Sequence, residues 1–160
     1  MITVRHAAHT EETCEALSHI LIAAWRSGFR GILEESIIRK YTNFPDVKSM
    51  FAQILASSIG TMYLAQLDEQ PAGLLYFLTE GNTARIEALL TVPAAWGKGV
   101  AASLILQAME DARSAGCTSV RVWPFAENHR ARRFYEKHGF HPSGESRMGE
   151  AEEMEYLRFL

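Results

Sequence analysis

The chain is 160 residues long, 48% apolar, and carries a formal net charge of −3. That size suits one domain, residues 1–160, with one substantial core and no stretch disordered by composition. The charge argues against a general nucleic-acid binder, and apolar runs such as HILIAAW and LLYFL are far too short to span a bilayer.

The opening MITVRHAAHTEE has no basic region followed by an apolar run, so a cytoplasmic protein is expected. Cys14 and Cys117 form no metal or redox spacing and read as two reduced thiols. His138 and His141 are a close histidine pair but straddle a Gly-Phe turn, and no metal site is expected.

ITVRHA alternates and is β-branched, which predicts a first strand. Thr10 before Glu11 and Glu12 marks a helix N-terminus, and Cys14, Leu17, Leu21 and Ala24 follow at helical spacing. RSGFRG closes that helix, and ILEESIIRKY forms a short second one. A third starts near Pro45, with Val47, Met50, Phe51, Ile54 and Leu55 on one stripe. TMYLAQL, DEQP and AGLLYFLTE read as a β-hairpin with Pro71 in its turn. ARIEALLTV predicts a central strand, and residues 100–115 an amphipathic helix stopped by Gly116. TSVRVW is a fifth strand, Asn128 caps a short helix through His138, and MEYLRFL closes the chain as a strand. The order predicts an α/β (α+β) domain: a mixed, mostly antiparallel sheet of six to seven strands with helices on both faces.

Between the central strand and its helix, residues 92–104 read VPAAWGKGVAASL. Two glycines within a helix would cost roughly 1 kcal/mol each relative to alanine, so the chain must turn there or admit something close to its backbone. A P-loop needs a hydroxyl residue after Gly-Lys, whereas Gly99 follows Lys98. A dinucleotide fingerprint needs glycines tight against the strand and an acid after the next one; VPAAW intervenes, and TSVRVW ends without an acid. Two readings stand: a glycine-softened loop with no ligand, or a diphosphate cradle at a helix N-terminus, with Lys98 adding charge. Downstream, FAENHRARRFYEKHGF puts Asn128 and Tyr135 seven residues apart, on one helix face, with Ala131 low between them. Singly, Asn128 reads as a cap and Tyr135 as a core aromatic; together, behind a glycine cradle, they read as a site.

In element order nearly the whole chain resembles the GCN5-related N-acetyltransferase (GNAT) family, most specifically from Ala84 to Phe140. The family's acetyl-CoA loop is Arg or Gln, two residues, Gly, one residue, then Gly or Ala. WGKGVA matches at Gly99 and Ala101 and departs at Trp96, which stands at the Arg/Gln position. Asn128, Tyr135 and the following EKHGF resemble the family's C-terminal signature, and WRSGFRGIL looks like its substrate-side helix and turn.

The resemblance implies a sheet splayed between strands four and five. It also implies an acetyl-CoA-dependent N-acetyltransferase that acylates a primary amine directly, on a small molecule, a protein N-terminus or a lysine. The backbone of Leu89, Leu90, Thr91 and Val92 would pair with the pantetheine arm, and Asn128 would bond the arm across the gap. Amides of Gly97, Lys98, Gly99, Val100, Ala101 and Ala102 would hold the diphosphate, and Arg130, Arg133 or Lys137 would reach the 3′-phosphate.

Tyr135 would stand near the sulfur. A phenol near pKa 10 and a thiol near 8.5 make full proton transfer uphill by about 2 kcal/mol, so Tyr135 is expected to hydrogen-bond the leaving thiolate. Period two puts Glu87 on the strand face of Leu89 and Thr91, which makes it the candidate base; its other reading is a salt bridge to Arg85 or Arg121. Glu127 is the runner-up, and Trp123 stands about where some relatives carry a carboxylate. The acceptor would rest against Trp25 to Leu33 and the loop 79–83. Expected partners are therefore acetyl-CoA and an amine, without nucleic acid, membrane or metal. Many relatives pair through sheet edges, which leaves a homodimer open. The alternatives are an acyl-CoA-binding sensor or non-catalytic module, and an enzyme using a longer acyl chain.

Overall fold

Twelve main elements build the domain in a computed structural model that describes residues 1–160. The first half holds β1 (Ile2–His6), α1 (Glu11–Gly28), α2 (Glu35–Tyr41), α3 (Phe44–Ser57), β2 (Thr61–Leu67) and β3 (Gln70–Glu80). The second holds β4 (Thr83–Thr91), α4 (Val100–Ser114), β5 (Ser119–Val122), α5 (His129–Lys137), β6 (His141–Met148) and β7 (Glu152–Phe159). One seven-stranded sheet runs β1-β2-β3-β4-β5-β7-β6. Only β4 and β5 pair parallel, and the crossover such a pair requires is α4.

Capping sets the helix starts. The Thr10 side chain accepts the Thr13 amide at 3.1 Å, and Asn43 accepts that of Asp46 at 3.2 Å. Phe44, not Pro45, is thus the first residue of α3, and Met50 on its predicted stripe is exposed. The first hairpin also differs from expectation. Asp68 and Glu69 form a two-residue turn with φ of +51° and +69°, and Pro71 lies inside β3. The register shifts between Ala65 and Gln66, opposite it, and such an irregularity is where a strand tolerates a missing N–H. The strand β6, HPSGESRM, carries no apolar alternation and is exposed throughout; the free edge of β7 makes it a strand.

The sheet has an apolar layer on each face. Tyr63 and Leu75 point to α4, packing with Val100, Leu104 and Ile105, while their neighbours Leu64 and Leu74 point to Leu17, Ile20 and Phe51 of α1 and α3. Gly73 lets α4 settle closely: a Cβ there would stand 2.9 Å from Val100 Cγ1 and 3.0 Å from Leu104 Cδ1. Cys14 and Cys117 are both buried and unbridged. No helix is long and apolar enough to cross a membrane.

Two features of β4 prepare a cavity. Its register to β3 runs Ile86 opposite Phe77, then Ala88 opposite Tyr76, which leaves Glu87 as an unpaired extra residue. The bulge reverses the alternation: Ala84, Ile86 and then Leu89 pack on the α4 side, whereas Ala88 and Leu90 pack on the α1 side. Glu87 therefore does not share a face with Leu89 and Thr91, because period two holds only where no residue is inserted. Pairing with β5 ends at Ile86 and Val122, and beyond that point the sheet splits.

Candidate active site at the split in the sheet

The strand end and the loop after it are built from main chain. Val92 donates its amide to the Ala72 carbonyl at 2.9 Å, so by strand alternation Leu90 also faces β3. Leu89 and Thr91 then turn their backbone groups into the gap beside β5. After a single 3₁₀ turn at Pro93–Ala95, Gly97 and Gly99 adopt φ of +76° and +89°, a region that favours glycine, and Gly99 starts α4. Trp96 donates its amide to Pro93, Lys98 donates to Ala95, and Ser103 donates to Gly99. The amides of Gly97, Gly99, Val100, Ala101 and Ala102 find no acceptor in the chain.

These donors open on a cavity of about 410 Å³ that Leu89, Thr91, Phe134 and Tyr135 also line. Lys98 departs from the sequence expectation. Its amide is spent on Ala95, and it lines neither this cavity nor its neighbour. Val92 likewise lines neither.

Across the gap, α5 supplies side chains. Asn128 Oδ1 accepts the Ala131 amide at 3.2 Å, which caps α5 and leaves the side-chain NH₂ free toward a second cavity. Tyr135 lies one helical face on, buried, its ring edge-on to Phe134 and inclined at 64° to Phe140, each with centroids 5.4 Å away. Its hydroxyl has no partner in the chain, and burial alone pushes its pKa well above the usual tyrosine value. The phenol therefore stays protonated and can only donate to a nearby anion.

The second cavity, about 400 Å³, is walled by Trp25, Phe29, Trp123 and Phe125, with the Phe29 and Phe125 rings edge-to-face at 5.1 Å. Charged groups on its rim are mostly engaged already. Glu87 pairs with Arg85, which also binds Glu80; Arg121, outside this cavity, pairs with Glu155 at 2.8 Å and not with Glu87. Arg147 binds Glu153 at 2.7 Å and lies 4.3 Å from the Trp123 ring centre, and Glu150 accepts from the Tyr41 hydroxyl at 2.9 Å.

Two regional expectations are corrected. No residue of 79–83 lines the cavity, because the split lies at the opposite end of β4. Glu127 lines only a separate outer cleft. The contribution of β6 had no sequence signal, since an exposed, unpatterned strand reads as loop. Trp96 donates its indole N–H to the Thr91 carbonyl at 3.3 Å, and the Arg130 guanidinium lies 3.7 Å over its ring.

A split sheet, a helix N-terminus with free amides and a buried phenol opposite define a recognisable class of protein. Residues 18–140 match the family described as acetyltransferase (GNAT), and the chain belongs to that family. No curated protein matches the sequence. Among solved structures, the PaiA N-acetyltransferase from Thermoplasma acidophilum in complex with coenzyme A superposes with a TM-score of 0.88 at 20% identity, covering 100% of this chain and 99% of that one. The ribosomal-protein-S18-alanine N-acetyltransferase from Escherichia coli gives 0.75 at 15% identity over 99% and 94% of the two chains. An acetyltransferase from Streptococcus agalactiae gives 0.76 at 16% identity over 99% and 98%. These likenesses establish the GNAT fold.

Proposed function

We propose that the protein transfers an acetyl group from acetyl-CoA directly to a primary amine. The observation that carries this reading is the position of Tyr135: it lines both cavities, one rich in unpaired amides, the other walled by aromatic rings. An anionic cofactor tail on one side and an amine on the other would meet at its hydroxyl. The Thermoplasma relative, similar over its whole length, was solved with coenzyme A, which supports the cofactor assignment.

The amides of Gly97, Gly99, Val100, Ala101 and Ala102 bind the diphosphate at the positive end of α4. Leu89 and Thr91 pair with the pantetheine amides as a strand would, and the Asn128 NH₂ bonds the arm from the α5 side. This narrows the pairing backbone from Leu89–Val92, since Leu90 and Val92 face β3. Acetyl-CoA supplies the activated acyl group. The amine lone pair forms a bond to the thioester carbon, and collapse of the adduct breaks the carbon–sulfur bond. Tyr135 donates its O–H to the departing thiolate and lowers the barrier to that collapse.

The attacking amine must be neutral. A lysine near pKa 10.4 is about 0.1% neutral at pH 7.4, whereas an α-amine near 8 is about a fifth neutral. Glu87 on its bulge in the acceptor cavity takes the proton lost by the nitrogen, in competition with its ion pair to Arg85. Mixing the protein with acetyl-CoA and a panel of amines, while following free thiol, tests the reading. Thiol release that requires an amine is expected. A CoA-induced thermal shift without thiol release from any amine would replace the enzyme by a non-catalytic acyl-CoA-binding module.

A further inference from the structure

The loop cavity has basic side chains only on its α5 wall, Arg130, Lys137 and His138, and no acidic one. Its five free amides carry only partial charges, and Lys98 does not line it. One guanidinium nonetheless lines the cavity, that of Arg130 at the first turn of α5. It reaches across the split and stacks on the Trp96 indole, 3.7 Å from the ring centre. No carboxylate or carbonyl of the chain engages it. The indole is itself fixed by its N–H bond to Thr91. A stacked guanidinium keeps all five N–H donors in its rim, aimed sideways, and such a planar fork suits two phosphate oxygens at once. A cation in contact with an aromatic face, without a counter-ion, beside a row of free amides is a site prepared for an anion.

Resting on the acetyl-CoA reading above, we propose that Arg130, carried on the face of Trp96, is the side chain that binds the cofactor diphosphate. The cradle is then made from both sides of the split, amides from α4 and a guanidinium from α5. It is distinct from a 3′-phosphate contact, because the stack holds Arg130 on Trp96, which directly precedes Gly97 in the chain, while Lys137 and His138 line the same cavity two turns further along α5. The arrangement also gives Trp96 a purpose: the indole is the platform that positions a charge it does not itself carry. A methyl group on Gly28 would come within 3.5 Å of Arg130 Nη2, so the same side chain also reaches the end of α1.

Calorimetric titration of the full chain with CoA, dephospho-CoA and S-acetylpantetheine tests this. Charge-assisted hydrogen bonds of this kind correspond to roughly tenfold to a hundredfold in affinity. Arg130→Ala is expected to weaken CoA and dephospho-CoA equally by that factor and to leave S-acetylpantetheine unchanged. Trp96→Ala should give a smaller loss with the same ligand pattern, Trp96→Phe should restore most of it, and Trp96→Arg should recover binding in the Arg130→Ala background. An Arg130→Ala protein of unchanged melting temperature that binds CoA as the parent does overturns the proposal. So does a loss for CoA that is absent for dephospho-CoA, which would assign Arg130 to the 3′-phosphate. If the parent binds none of the three ligands, the acetyl-CoA reading itself falls, and this inference with it.

Discussion

The two cavities that meet at Tyr135 are built on opposite plans. The loop side is made of main-chain donors placed by glycines of left-handed φ and by a helix start, with its basic side chains confined to the α5 wall. The aromatic side is made of side chains from elements far apart in sequence, α1, β4, the β5–α5 loop and the β6–β7 hairpin, whose charges pair among themselves. A site built from backbone depends on local conformation and suits a ligand with an invariant diphosphate. A site built from side chains can be rebuilt without disturbing the sheet, which is where a fold varies what it acts on.

The sharpest way to break this division is at the phenol shared by both halves. Tyr135→Phe is expected to lower turnover by about a hundredfold, in the range for a positioned proton donor, with CoA affinity nearly unchanged. An unchanged kcat in a steady-state thiol assay would remove Tyr135 from the chemistry. The pH profile comes next. With a lysine-like acceptor, kcat/KM should rise about tenfold per pH unit from 6 to 9 as the amine deprotonates. Burial raises the Tyr135 pKa, so the phenol stays protonated and no alkaline decline should follow up to about pH 10. A decline centred near pH 9 would show that a donor is being lost and that the phenol is not insulated.

Gly73 tests the backbone half by itself. Valine there would press on Val100 and Leu104, in the first turn of α4. Overpacking of about 1–3 kcal/mol should lower the melting temperature by roughly 5 °C and weaken CoA as the free amides shift. A cooler melt with unaltered CoA affinity would separate the loop from the helix seat. The smallest effect is expected at Glu87. Glu87→Gln should cut the rate by roughly fivefold to tenfold for a lysine-like amine and by less for an α-amine, because the latter is already partly neutral. Equal losses for both would mark Glu87 as a partner of Arg85 and not as a base.

Much of this was legible along the chain. The Thr10 cap, the α4 stripe from Val100 to Met109 and the Asn128–Tyr135 spacing are local signals, and the structure places each where the pattern predicts. The β-bulge at Glu87 was not legible, since an inserted residue is visible only against the strand it pairs with. Nor was β6, whose residues are polar and become a strand only beside β7. Lys98 beside glycines read as a phosphate ligand, yet the turn that frees its neighbours engages its amide with Ala95 and leaves it out of the cavity wall.

The sequence by itself determined the order of elements, the glycine-built start of α4 and the family to which the chain belongs, because caps, periodicity and left-handed turns act over a few residues. Only the tertiary structure decided which amides stay free, where the sheet splits, what walls the aromatic cavity and that Arg130 lies on Trp96. Those are contacts between segments tens of residues apart, and no local preference encodes them.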